Sequence, residues 1–288
     1  MFKQIIEHAS ISAEFAYQTG PDRGDYDGPD GLRRCGCCHQ PRQMRLDVPL
    51  VGERVVYVMC ECEKARQEAE AARREAAERQ MRVDELRANG ILNRDHLGMT
   101  FAADDGSDPR MTTIATNYAA NWREVRELDA PGLLLMGGVG GGKTFWAACI
   151  ANALIDRGYS AMVTTIPALV AAMSGSGFER EKQKVLANVA AVDLLVLDDI
   201  GFERTSPYAH EKMHEIIDAR YLAKRPLIVT TNLSFTDLEK PELMEYKRVF
   251  DRIIGMTRPI HVKADGRRKR IAQESARRMD ALLGLNGG

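Results

Sequence analysis

The sequence predicts an α/β fold: a parallel sheet flanked by helices, preceded by a small cysteine-rich domain and a helical linker. Three observations carry this. Five of the six cysteines fall within residues 35–62. A run rich in Ala, Glu and Arg, free of Gly and Pro, follows them. Beyond Gly90, short apolar runs alternate with helical segments, and one of these runs leads into the glycine-rich stretch GGVGGGKT (137–144).

A chain of 288 residues has room for one large or two modest domains. Apolar residues at 44% and charged residues at 28% exclude wholesale disorder. Lys and Arg number 40 against 41 Asp and Glu, so net charge gives no sign of nucleic-acid binding and any basic patch must be local. No apolar run approaches the ~18 residues of a membrane span. The start, MFKQIIEHAS, is too short and polar for a secretory signal. The expected setting is the cytoplasm, with no membrane partner.

In chain order, residues 1–17 carry an amphipathic pattern (Phe2, Ile5, Ile6, Ile11, Phe15) that suits a short packing or docking helix. Residues 18–34, rich in Gly, Asp and Pro, read as a loop. Alternation in RVVYVMC (54–60) predicts a strand before the second cysteine pair. Cys35 and Cys38 are followed, about 21 residues on, by Cys60 and Cys62. Clustered thiols in a reducing compartment read as metal ligands, and four soft ligands suit tetrahedral Zn²⁺. Cys37 or His39 could replace one of them, and free thiols or an iron–sulfur cluster are the alternatives. With all positions filled by protein, such a metal stabilises folding rather than catalysing a reaction. Residues 1–62 are therefore expected to form the N-terminal zinc domain.

Residues 63–89 are expected to form a charged helical linker. Helix-favouring composition and the pairs Glu70–Arg74, Glu75–Arg79 and Glu78–Arg82 support an exposed helix. Its apolar residues are mostly alanine, so it buries little; a solvated linker and a partner-binding helix both fit.

Residues 90–284 form the expected α/β domain. PGLLLMGG (131–138), SAMVTTI (160–166), DLLVLDD (193–199) and PLIVTTN (226–232) read as buried strands, and TFWAACIANALIDRG (144–158) as the helix after the first. Gly137, Gly142, Lys143 and Thr144 occupy the fixed positions of G-x-x-x-x-G-K-[ST]. The loop Gly137, Gly138, Val139, Gly140, Gly141, Gly142 can turn its N–H groups toward phosphate, at the positive end of the helix through Lys143, Thr144 and Phe145. ATP with Mg²⁺ is the expected ligand. Lys143 would reach the β- and γ-phosphates, and Thr144 would ligate Mg²⁺. Asp198 and Asp199 end a buried strand, the first to orient the metal and the second to polarise the attacking water. Asn232 could hold that water or sense the γ-phosphate; a turn-capping role is the alternative. Cys149, after the phosphate loop, reads as a small core residue.

These motifs resemble those of the AAA+ ATPases of the DnaC/DnaI/IstB group, the bacterial and phage replicative helicase loaders. The resemblance covers roughly 90–270 and rests on GGVGGGKT, LLVLDDIG, IVTTNLS and YKRVFDRI (246–253) in that order, with ANGILNRDHLGMTF (88–101) ahead of them. It implies an AAA+ P-loop fold and an ATPase that assembles as a homo-oligomer. Arg252 would serve as an arginine finger toward the γ-phosphate of a neighbouring subunit, and Arg268 as a second sensor. It also implies a replicative DNA helicase as partner and single-stranded DNA as ligand, with Phe178, Lys182, Ser206 and Tyr208 at the matching DNA-contacting positions. Several such loaders carry a cysteine-rich front domain. One departure is Asp199, where many AAA+ proteins have glutamate; its shorter side chain predicts slow turnover. A transposition helper ATPase and a zinc-stabilised adaptor that holds nucleotide without hydrolysing it are the rival readings.

Overall fold

The computed structural model describes residues 24–91, 93–129, 131–174, 178–201, 207–241, 244–263 and 266–285. The expected helix within 1–17 and Ser206 lie outside them. The chain forms two compact units that divide between Arg79 and Gln80.

In the first unit, β1 (Tyr26–Asp27) pairs antiparallel with β2 (Arg33–Arg34), and β3 (Gln43–Val48) with β4 (Gly52–Tyr57). The strand expected over 54–60 is β4. It stops at Tyr57 because its ladder ends at Gln43, which frees the chain to bring Cys60 round. Little apolar surface is covered here: Met44, Leu46, Val48, Val55 and Met59 are all exposed.

Helix α1 (Glu61–Gly90) follows for 30 residues. Acidic Glu61 and Glu63 in its first turn and Arg87 in its last complement the helix dipole. It differs from the expected linker at both ends. It starts early enough to carry Cys62, and Val83 near its end is buried in the apolar core of the second unit, with Leu86 packed against it. The helix ends at Gly90, where only glycine fits: a β-carbon there would lie 1.9 Å from the Ala161 carbonyl oxygen.

The second unit is built on a five-stranded sheet of β5 (Gly132–Met136), β6 (Ala161–Thr164), β7 (Leu194–Leu197), β8 (Leu227–Thr231) and β9 (Thr257–His261). All pairings are parallel, in the order β6-β7-β8-β5-β9. The four strands expected are present. β9 is additional; with Pro259 in a run of five it carries a weak strand signal, and Pro is tolerated because the strand lies at the edge.

Side chains alternate along β5, an interior strand. Leu133 and Leu135 face a core with Met111, Trp122, Trp146, Ile150 and Leu154, and Leu134 and Met136 face a second core with Ile216, Ile217, Val249 and Phe250. Helix α2 (Arg94–Leu97), helix α3 (Pro109–Ala120), α4 (Trp122–Val125) and α5 (Lys143–Asp156) supply the first layer. Helices α6 (Ile166–Ala172), α7 (Phe178–Ala191), α8 (Pro207–Ala223), α9 (Phe235–Glu239) and α10 (Met244–Met256) supply the second. Cys149 is fully buried in the first core, as expected. The chain ends in α11 (Arg267–Leu283). No helix among the described residues is long and apolar enough to cross a membrane.

Candidate nucleotide-binding site and cysteine centre

The functional side chains of the second unit come from the carboxyl ends of β5, β7 and β8. Because β8 lies between the other two, Asn232 is delivered between the glycine loop and the acidic pair. The turn out of β5 needs glycine at Gly137: its φ is +148°, and a β-carbon would meet the Val262 carbonyl oxygen at 2.2 Å. Lys143, buried at the start of α5, donates from Nζ to the Gly137 and Gly138 carbonyls, both at 2.8 Å, and to Asn232 Oδ1 at 2.7 Å. Asn232 in turn donates from Nδ2 to Asp199 Oδ1 at 3.1 Å. The cation, amide and carboxylate thus form one continuous relay.

Asp198 is fixed differently. Its Oδ1 accepts hydrogen bonds from Thr144 Oγ1 at 2.7 Å and Thr230 Oγ1 at 2.6 Å. Thr230 Oγ1 also accepts the Asp199 N–H at 2.8 Å. This bond helps hold Asp199 in a left-handed conformation, φ +56°, which costs on the order of 1–3 kcal/mol for a residue other than glycine. The backbone at Asp199 departs from the strand, and its carboxylate meets Asn232 while Asp198 faces Thr144.

These residues border a cleft of about 430 Å³. Gly140, Gly142, Lys143, Thr144, Asp198, Asp199, Thr230 and Asn232 are its polar lining residues, and Met99, Val139 and Phe145 its apolar ones. Loop N–H groups and Lys143 at a helix start can bind a polyphosphate. The Thr144 hydroxyl and Asp198 carboxylate, already in contact, are the hard oxygen pair that could hold Mg²⁺. Gly141 is buried beneath the loop.

The other expected site residues lie elsewhere. Arg252, on α10, is ion-paired with Asp218 of α8 and sits over the Tyr221 ring, 5.5 Å from its centroid. It does not border the cleft of its own chain. His214 Nδ1 approaches the other Asp218 oxygen at 3.4 Å; burial, then Arg252 and Arg248, lower its pKa. Lys182 pairs with Glu215 at 2.8 Å, an ordinary ion pair between α7 and α8. Tyr208 is partly exposed, with Lys212 Nζ 5.4 Å from its ring centroid. Phe178 and Arg268 begin α7 and α11, with side chains outside the described set.

Two residues of the cleft escape sequence reasoning. Thr230 is visible as a polar strand end, but its double contact with the acidic pair depends on strand order. Met99 has no local signal at all; it reaches the cleft from a turn before α3.

In the first unit, Cys35, Cys38, Cys60 and Cys62 converge with all four Sγ atoms within 4.8 Å of one another. Cys62 Sγ lies 3.3 Å from Cys35 and Cys60 and 3.5 Å from Cys38. A ZnS₄ tetrahedron with bonds of about 2.3 Å has sulfur–sulfur edges of about 3.8 Å, so the cluster needs only a small expansion to hold one Zn²⁺. The N–H groups of Cys38 and Cys37, then Cys62, bring the Cys35 thiol down to about 6, while the neighbouring thiols push Cys62 up and burial pushes Cys60 up, so without a cation the cluster does not favour four thiolates together. Of the two alternative ligands, Cys37 is exposed outside the cluster, and His39 Nδ1 lies 3.1 Å from the Tyr26 hydroxyl.

Beneath the thiols lies a buried ionic group. Arg42 pairs through Nε with Asp25 at 3.1 Å and through Nη1 with Glu63, and Nη1 also donates to the Tyr57 hydroxyl. Tyr57 donates to Glu63; burial and that carboxylate push its pKa up to about 12. The group ties the start of α1 to both the Cys35 and β4 segments.

A parallel sheet flanked by helices, with a glycine loop, a strand-end Asp pair and an interposed Asn strand, defines the second unit as an AAA+-type P-loop nucleotide-binding domain. The family is shown by comparison: a model described as IstB-like ATP binding protein matches residues 57–275, and the chain belongs to that family. It is homologous to two replicative helicase loaders. It is 30% identical to DnaI of Bacillus subtilis (strain 168) over 204 residues, which are 66% of this chain and 65% of the relative. It is 32% identical to DnaC of Escherichia coli (strain K12) over 143 residues, 48% of this chain and 56% of the relative. The chain thus spans less than two thirds of either relative. A crystal structure of DnaI has 24% identity and a TM-score of 0.49, covering 60% of this chain and 95% of that one.

Proposed function

We propose that the chain is an ATP-dependent loader that binds ATP, Mg²⁺ and single-stranded DNA and delivers a replicative helicase to DNA. One observation carries this reading. The site of a chain homologous to DnaI and DnaC joins its phosphate-binding cation to its second acid through one amide, Lys143–Asn232–Asp199.

Lys143 and the loop N–H groups of 137–142 hold the phosphates, and Thr144 with Asp198 holds Mg²⁺, which supplies charge neutralisation on the phosphoryl oxygens. Asp199 orients the attacking water. Asn232 touches both Asp199 and Lys143, so a change at the γ-phosphate moves the same amide that steers the acid. With a short Asp199 side chain, turnover is slow, as suits a switch.

Arg252 completes the site of a neighbouring copy after exchanging its Asp218 pair for phosphate, making hydrolysis dependent on assembly. Tyr208 stacks on DNA. Cys35, Cys38, Cys60 and Cys62 hold a structural Zn²⁺, and their unit docks on the helicase.

The test mixes the full chain with the replicative helicase of its own organism, ATP and circular single-stranded DNA. The expected result is a loader–helicase complex and ATP-dependent transfer of helicase to the circle. Arg252→Ala should lower turnover by about 10³-fold with ATP binding retained. Absence of any complex with the helicase sinks the reading, and a stable DNA complex that ignores helicase favours the transposition helper.

A further inference from the structure

Asn152 lies on α5, nine residues beyond Lys143, and is only 2% exposed. An apolar residue would suit that position in a helix whose neighbours Ala151 and Leu154 are core. Its amide nitrogen donates to three backbone carbonyls: Ala148 on its own helix at 3.1 Å, and His96 and Met99 at 2.9 Å each. Among the described residues, its Oδ1 is buried without a hydrogen-bond partner, as is His96 Nδ1. Burying a half-satisfied carboxamide is unfavourable, so the position is kept polar for what the nitrogen holds.

What it holds is the turn that brings Met99 to the cleft. The turn is anchored independently on both sides. Ile91 bridges to Val163 before it, and Thr112 Oγ1 donates to Asp104 at 2.7 Å after it. Asn152 therefore sets the position of residues 96–99 rather than the attachment of the segment. Among the described residues, Met99 is the cleft residue contributed from outside the glycine loop, α5 and the strand ends. Those other parts supply the polar, phosphate-binding lining, and among the described lining residues Met99, Val139 of the loop and Phe145 of α5 are the apolar ones. A base is flat and largely apolar on its faces, and a thioether makes favourable contacts with aromatic rings.

We propose that Asn152 is a positioning residue for base selection: by holding the His96 and Met99 carbonyls it fixes Met99 as the wall against which a purine base lies. This rests on the nucleotide-binding reading of the cleft. A purine covers more of that wall than a pyrimidine, so the wall favours ATP over CTP, although both carry the same triphosphate and ribose.

The experiment measures the dissociation constants of ATP and CTP, each with Mg²⁺, by calorimetry on the full chain and on Asn152→Ala and Met99→Ala. The wild type is expected to prefer ATP by about tenfold or more. Both variants should bring the CTP-to-ATP ratio close to one, with CTP affinity changed less than twofold. A general loss of folding or of phosphate binding weakens both nucleotides together and leaves the ratio unchanged, which overturns the proposal. So does a wild type that binds both nucleotides without preference. If Asn152→Ala does not fold, Met99→Ala decides, because that side chain is only partly buried and packs at the margin of the core; an unchanged ratio there overturns the proposal. A wild type that binds neither nucleotide overturns the reading of the cleft and this inference with it.

Discussion

The cysteine unit and the sheet unit are held together by different means. The sheet unit buries two apolar layers, one on each face of a parallel sheet, and its strands are apolar throughout because both faces are covered. The cysteine unit leaves Met44, Leu46 and Val48 of one strand exposed and buries instead two of its thiols and an arginine–carboxylate group. A segment this small cannot remove enough apolar surface from water to offset its chain entropy. Its order must come from specific bonds, and these are intolerant of loss. An apolar core spreads its stabilisation over many contacts, while a metal held by four thiols would concentrate it in four atoms.

The largest expected effect follows directly. Cys62→Ser should abolish stoichiometric zinc binding and unfold the cysteine unit, since structural zinc contributes about 10 kcal/mol or more to such modules. Hydrogen exchange should show protection lost in residues 24–79 and kept in the sheet strands. Simultaneous loss in both units would break the contrast. Next comes Arg42→Met, which leaves Asp25 and Glu63 as buried charges without their cation and should destabilise the same unit by about 3–5 kcal/mol, read from its chemical-denaturation midpoint. In the sheet unit, Leu135→Ala in the interior strand β5 should cost about 2–5 kcal/mol by the same measurement, with zinc content unchanged.

The smallest effect concerns Glu215. Burial alone would raise its pKa, but Lys182 and Lys212 outweigh it and hold the pKa below the ordinary value. A carboxylate depressed on folding stabilises the protein above its unfolded pKa of about 4.3, and that contribution disappears as pH falls through the folded value. Glu215→Gln should therefore lower the melting temperature slightly at pH 7 and bring it closer to wild type in acid. A gap that widens on acidification contradicts the assignment of Lys182 to Glu215.

Legibility in the sequence followed the range of the physics involved. The phosphate loop, the acidic strand end and the four cysteines are local patterns with fixed spacing, and each was found where expected. α1 was legible as a helix from composition, but not its ends, because Cys62 is recruited by the thiol cluster and Val83 by a distant core. β9 carries little intrinsic strand preference and is ordered by pairing with β5. The resemblance placed Lys182 at a DNA-contacting position, and its pairing with Glu215, which depends on the packing of α7 against α8, has no local signal.

By itself, the sequence determined the class of chemistry: glycine spacing fits phosphate, paired thiols fit a soft metal, and doubly apolar strands require helices on both faces. Only the tertiary structure decided the connections among these parts. It placed Asn232 between Lys143 and Asp199, brought Thr230 to both acids and set Met99 at the far wall. It also excluded Cys37 and His39 from the thiol cluster. Hydrogen bonds and packing act over a few ångströms, and strand order and turns determine which distant residues come that close.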